Sequence, residues 1–421
     1  MPLSPESIQN VTSILDGATS KGISGAPGLV FLAVDKSGHT LVEHASGTRG
    51  VNSKDPMDMN TTFWIASMTK IVTTIACMQL YEQGKMPLDD AEFVEKWAPE
   101  IGKKRVFVDG VTPQDQQGKV TVRMLLAHTA GFGYTFLDPR PMIHGWPVGI
   151  DEFAGDEIDY ISSPMVNQPG SMWEYGISID WAGIILERAT GLRLNDYFQK
   201  YICGPLGLNA TTMFPNKEQQ QNLAYMHQRD TEGNLTVRDH AYRRPLNVVT
   251  KEQQANMFHS GGAGLFSKPR EYAKIITTLL NNGTCPTTGS KLLSSSTVNL
   301  MFENQIPNQP NFARAGPPPP KPLLANAAPE MYPQEGDPPQ GWGLSMFLTL
   351  EPGTSGAPKG TGRGANTGWW CGLANSYWWV DREKGVAGVL CSQVLPFGDP
   401  KVVPTWWEVE RALYQGLGEK K

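Results

Sequence analysis

The sequence predicts an α/β (α+β) protein in which both ends of the chain build one sheet and a mostly helical segment is inserted between them. Three observations carry this. Strand patterns occupy roughly residues 28–45 and return from 343 to 392. Helical patterns with long loops fill much of the interval. A long helix pattern, Ala66 to about Gln83, is apolar on most faces, as expected of a helix buried between layers.

In chain order, Gly28-Leu-Val-Phe-Leu-Ala-Val-Asp35, a turn at Lys36-Ser-Gly38 and Leu41-Val-Glu-His-Ala45 read as a β-hairpin. The apolar helix follows and stops at Gly84. Further on, Val122–His128, Ser178–Ala189 (ended by Thr190-Gly191) and Tyr197–Cys203 carry helical patterns. A strand signal returns at Gly264–Ser267, ahead of a helix Glu271–Leu280 ended by Asn281-Asn-Gly283. Residues 315–340 are dense in proline, which removes amide donors and fixes φ, so they read as an irregular surface loop, with a lid as the sharper alternative. Strands near Gly343–Leu350, Ser376–Val380 and Val386–Ser392 and a helix opening at Pro404 close the chain. The expected division is a sheet domain from 1–86 and 255–421, holding the proline-rich loop, with a helical insertion at 87–254.

With 40% apolar and 18% charged residues, the 421-residue chain suits a folded enzyme and not a disordered one. A net charge of −5 and the lack of any basic run argue against nucleic acid and against an anionic membrane surface. No apolar run approaches the length of a membrane span. The start, Met-Pro-Leu-Ser-Pro-Glu, has no leader pattern, so a cytoplasmic location is expected. The five cysteines are widely spaced and form no CxxC pair, so neither a zinc site nor a disulfide framework is expected, and no cofactor.

The chemistry starts at Ser67-Met-Thr-Lys70. Residues three apart share a helix face, so the Lys70 amine can reach the Ser67 hydroxyl. A serine hydroxyl is a poor nucleophile until a base takes its proton. Lys70 can be that base if burial and the helix N-terminus lower its pKa. This is the only Ser-x-x-Lys in the chain, and it opens the most apolar long helix, where a lysine is out of place. The bland alternative is a lysine snorkelling from a helix end. The second signal is Pro169-Gly-Ser-Met-Trp-Glu-Tyr175, a turn and short extended run just ahead of a helix. Positive potential there favours a phenolate, making Tyr175 a candidate proton shuttle. A core tyrosine bonded to a carbonyl is the alternative reading, and Tyr160 is a weaker rival because it lacks the Pro-Gly entry.

Ser67-x-x-Lys70, Leu125-Leu-Ala-His-Thr-Ala-Gly131, Tyr175-Gly-x-Ser178 and Gly261-Gly-Ala-Gly-Leu265 occur in the order seen in the serine β-lactamase and penicillin-binding-protein superfamily. Within it the chain resembles the class C-type esterases and, more closely, the fungal lovastatin transesterase. Tyr175-Gly-Ile-Ser-Ile-Asp-Trp-Ala-Gly, Glu187-Arg-Ala-Thr-Gly-Leu and Ile202-Cys-Gly-Pro-Leu-Gly207 carry that nearer likeness. The resemblance spans about Gly25 to Leu413. It implies a β-lactamase/transpeptidase-like fold, an antiparallel sheet flanked by helices, and catalytic roles for Ser67, Lys70 and Tyr175.

It also implies an oxyanion hole made by the Ser67 amide and one from the stretch Thr367-Gly-Trp-Trp-Cys-Gly-Leu-Ala-Asn375. The donor would be Gly372, or Cys371 if the register slips; a bulge is the bland reading of that glycine. Where a β-lactamase places a carboxylate-gripping cation, this chain has Trp369-Trp370. Those two tryptophans are expected to form an apolar substrate-binding wall suited to hydrophobic esters. Arg363 is expected at the surface, His128 to cap a helix end, His259 to be structural, and Cys371 to lack an activating base.

The expected activity is acyl transfer through a covalent Ser67 ester. Its donor would be a small-molecule ester or acyl-thioester, with an acyl-carrier protein as a candidate, and its acceptor water or an alcohol. The resemblance tilts this toward a small acyl chain and a polyketide-like partner. A β-lactamase or D-peptidase, and a catalytically silent binding protein of the same fold, are the alternatives.

Overall fold

Strands that are apolar on both faces are stable only inside a layered structure, and those at the two ends of this chain satisfy each other. The computed structural model describes residues 3–313, 318–328, 331, 338–351 and 360–418. Strands β1 (Gly28–Asp35), β2 (Thr40–Gly47), β3 (Phe63–Trp64), β4 (His227–Arg229), β5 (Leu235–Val237) and β6 (Phe266–Ser267) come first. β7 (Gly341–Trp342), β8 (Phe347–Thr349), β9 (Thr367–Gly372), β10 (Ser376–Asp381), β11 (Val386–Cys391) and β12 (Val394–Leu395) follow. Among the described residues seven of them form one antiparallel sheet, ordered β2-β1-β11-β10-β9-β8-β7. β1 therefore joins the C-terminal strands directly, with Phe31 opposite Leu390.

The helices that position the site are α1 (Pro5–Thr19), α2 (Thr69–Glu82), α3 (Val122–Leu126), α4 (Ser178–Thr190), α5 (Pro269–Leu280) and α6 (Val402–Gly418). α1 has no counterpart in the sequence reading, although its start was legible. Ser4 accepts the Ser7 amide as an N-cap, Pro5 sits in the first turn, and Val11 and Leu15 bury one stripe. α1 packs against α6. Trp406 of α6 stacks on Tyr377 of β10, so these helices cover one face of the sheet. On the other face α5 lies along β1 and β11, and its Tyr272 hydroxyl donates to the Met68 carbonyl at 3.1 Å. α2 is apolar all round because it is enclosed: Ile71, Val72, Ile75, Ala76 and Met78 are all buried.

Two expectations are refined by the fold. The stretch read as a helical insertion to 254 returns to the sheet-bearing half earlier. β4 pairs with both β5 and β12, and Leu223 bridges to Thr62. The described part of the proline-rich stretch 315–340 lies largely at the surface, with Leu323 66% exposed, and is tethered at two points. Lys321 donates to the Thr135 hydroxyl and the Ile150 carbonyl, and Ala325 bridges to Phe397. Residues 315–317, 329–330 and 332–337 lie outside the described residues.

Candidate active site

A tight turn presents Ser67. Ala66 precedes it at φ +45°, a conformation that costs an L-residue energy and persists only where its surroundings fix it. The Ile65 amide donates to Leu265, and the Trp64 indole to the Ala263 carbonyl, so the Gly261-Gly-Ala-Gly-Leu265 loop clamps this turn. A short 3₁₀ segment, Ala66–Met68, then leads into α2. Lys70 follows one turn on, fully buried, with its Nζ 3.0 Å from the Ser67 Oγ. Burial pulls the Lys70 pKa down to about 7, and the Asp180 carboxylate acts in the opposite sense.

Two further oxygens hold the amine. Nζ lies 2.9 Å from the Tyr134 hydroxyl and 2.9 Å from the Gly262 carbonyl. Asp180, in the first turn of α4, supports that carbonyl's loop: its Oδ1 accepts from the Ser260 hydroxyl (2.6 Å) and the Gly262 amide (2.9 Å). Gly262 is required there, since a Cβ would lie 2.4 Å from Asp180 Oδ2 and 3.0 Å from the Tyr134 oxygen. Sequence reasoning missed both Tyr134 and Asp180. Asp180 stood inside a quoted motif, but nothing in the spacing of Tyr134 says that its loop folds onto Lys70.

Tyr175 comes to the same place by its ring. Nζ of Lys70 sits 4.7 Å from the ring centroid, and the Trp370 indole donates to the Tyr175 hydroxyl at 2.8 Å. Successive strand residues point to opposite faces, so β9 sends Trp370 and Gly372 to the site and Trp369 away from it. Trp370 is packed edge-on to Tyr175 and Trp342. Trp369 is a correction to the expected wall. It lies against Trp406 and Phe347 beneath the sheet, under the Arg363 guanidinium. Gly372 meets the nucleophile's turn so closely that a Cβ would fall 2.6 Å from the Ile65 carbonyl oxygen.

Arg363 is a second correction. Far from the surface, it is 2% exposed and paired with the buried Glu410, because the Gly-rich loop folds under α6. His128 closes α3 through its backbone: at φ +56° its amide donates to the Leu125 carbonyl (3.3 Å) while the Thr129 amide donates to the Met124 carbonyl (2.9 Å). Its ring is buried 4.8 Å from the Tyr175 ring, and its Nδ1 accepts the Gly176 amide at 3.4 Å, so it supports Tyr175 from behind. Burial lowers its pKa well below the usual histidine range. His259 is held between the Asn195 amide and the Gln254 carbonyl, consistent with a structural role. Tyr160 bonds the Glu152 carbonyl, away from Lys70. Cys371 is buried and its thiol pushed up, so it stays protonated.

Residues 16–409 match the β-lactamase family. The chain is 30% identical to monacolin J acid methylbutanoyltransferase of Aspergillus terreus, over 92% of this chain and 91% of that protein. It is 31% identical to lovastatin esterase of Penicillium rubens, over 88% and 89%. A solved structure of a simvastatin synthase mutant from Aspergillus terreus superposes with a TM-score of 0.77 at 27% identity, covering 99% of this chain and 96% of that one.

Proposed function

The chain belongs to the β-lactamase family and is an enzyme of its esterase and acyltransferase branch, and from that premise we propose that it transfers acyl groups through an ester on Ser67. The observation that carries the proposal is the Lys70 amine, buried, with its pKa near 7, 3.0 Å from the Ser67 hydroxyl. A base poised near neutrality can take the hydroxyl proton as Oγ bonds to the acyl carbon. Tyr175 gives its proton to the leaving group as that group departs and recovers one from the Lys70 ammonium. In the second step the acceptor oxygen bonds to the acyl carbon, the bond to Oγ breaks, and the acceptor's proton passes through Tyr175 and Lys70 back to Ser67 Oγ. The Ser67 and Gly372 amides are assigned to the oxyanion, where each such donor is typically worth about 10²–10³ in rate.

Substrate class follows from the walls. Trp370, Tyr175, Trp173 and Trp342 pack together beside Ser67–Lys70. Trp342 and Trp370 are essentially fully buried and back the site, while Trp173 and Tyr175 keep partial exposure and offer aromatic faces that favour an apolar acyl ester or thioester over a charged β-lactam. The relatives include both a methylbutanoyltransferase and an esterase. We assign a small acyl donor and a bulky polyketide-like alcohol as acceptor, with water competing; an acyl-carrier thioester is one donor of that chemistry. No helix among the described residues is long and apolar enough to cross a membrane. The five free cysteines suit the cytoplasmic placement we assign.

The test is intact-mass measurement after incubation with p-nitrophenyl butyrate. Wild type should gain one butyryl group and Ser67→Ala none. An adduct surviving in Ser67→Ala, or fast turnover of a chromogenic cephalosporin with the ester inert, overturns the assignment.

A further inference from the structure

We propose that Tyr134 is a positioning residue for acylation: its hydroxyl oxygen accepts one N–H of Lys70 and so turns the amine lone pair onto the Ser67 hydroxyl. The inference rests on the acyl-Ser67 reading and extends it to a residue outside the Ser67–Lys70–Tyr175 set.

The geometry is a matter of counting. Nζ carries three positions besides its bond to carbon, and three oxygens stand around it: Ser67 Oγ at 3.0 Å, Tyr134 Oη at 2.9 Å and the Gly262 carbonyl at 2.9 Å. A neutral amine has two N–H groups and one lone pair. The Gly262 carbonyl can only accept, so it takes one N–H. If Tyr134 accepts the other, the lone pair has one place left to point, the Ser67 hydroxyl. The Ser67 proton then passes to Nζ as Oγ bonds to the acyl carbon, and the resulting ammonium keeps all three contacts.

A hydroxyl can also donate, and a donating Tyr134 would occupy the lone pair and block the base. The direction is set by Asp180. Its Oδ2 is buried, has no hydrogen-bond partner among the described residues, and flanks the same Gly262 position as the Tyr134 oxygen. Burial and that neighbouring carboxylate make Tyr134 hold its proton firmly. Its O–H dipole is drawn toward the carboxylate, leaving the oxygen for Lys70. The other titratable groups facing Nζ are Tyr175, through its ring, His128, which burial keeps neutral, and Cys371, which stays a thiol.

Tyr134→Phe tests this, because the phenyl ring keeps the stack on Phe136, 4.8 Å away between centroids. Single-turnover acylation by p-nitrophenyl butyrate is followed against pH, with intact mass confirming the Ser67 adduct and a thermal melt confirming folding. Loss of one hydrogen bond to a charged amine should slow acylation on the order of tenfold to a hundredfold. An accepting Tyr134 also stabilises the ammonium, so its loss should move the rising acid limb of the rate profile to lower pH. A limb that moves to higher pH means Tyr134 donates, and an unchanged limb with an unchanged rate means it only packs; either overturns the proposal. If wild type itself forms no Ser67 adduct, the acyl-transfer reading fails first, and the two failures are told apart in one experiment.

Discussion

At the scale of single residues, the site turns on a lysine held where lysines are costly. Lys70 is fully buried, and burial draws its pKa from the ordinary 10.5 to about 7. The acylation rate should therefore rise with pH through about 7, as the amine becomes a base. The same shift fixes the stability cost. Between about pH 7 and 10.5 the unfolded chain binds a proton that the folded chain has released, so stability rises with pH across that window and the penalty is complete below it. At about 1.4 kcal/mol per pKa unit the penalty reaches several kcal/mol, partly offset by three hydrogen bonds. Lys70→Met should be inactive yet more resistant to urea at pH 6, with the gain shrinking toward pH 10. Equal or lower resistance at pH 6 would show that the hydrogen bonds outweigh desolvation.

At the scale of elements, the site is a seam between the start of α2, the end of β9 and the Gly261–Leu265 loop. Alternation along β9 delivers Trp370 to Tyr175 and Gly372 to the nucleophile's turn, while Trp369 goes to the core beneath. Adding one methyl at Gly372 must push β9 away from Ile65, at an overpacking cost of about 1–3 kcal/mol. Gly372→Ala should therefore fold with a modestly lower melting temperature but lose most of its acylation rate. Retention of wild-type acylation would remove Gly372 from the oxyanion site. The alternation was available from the sequence, but which face of β9 meets Ser67 was not, because a strand buried on both sides shows no polar edge to orient it.

At the scale of the molecule, one sheet joins residues far apart in the chain and α6 closes it from behind. There Arg363 pairs with Glu410 and lies over the Trp369 and Trp406 rings, both groups essentially without solvent contact. Removing one partner leaves a buried uncompensated charge, a loss of about 3–5 kcal/mol. Arg363→Met should lower the urea midpoint sharply while leaving the acylation rate of the folded fraction unchanged. A rate defect without a stability defect would restore Arg363 as a substrate-binding cation. What the sequence alone determined was local: the Ser67–Lys70 spacing on a helix turn, the hairpin, the strand runs and the glycine stops, each set by periodicity or backbone freedom within a few residues. The place of Tyr175 just ahead of a helix marked it as a candidate proton shuttle, and the resemblance added a catalytic role. Only the tertiary structure decided which groups meet. Tyr134 and Asp180 reach the Lys70 neighbourhood from separate loops and helices. Arg363 is drawn inward to a carboxylate 47 residues away. Such pairings depend on how layers pack, and no short-range pattern encodes them.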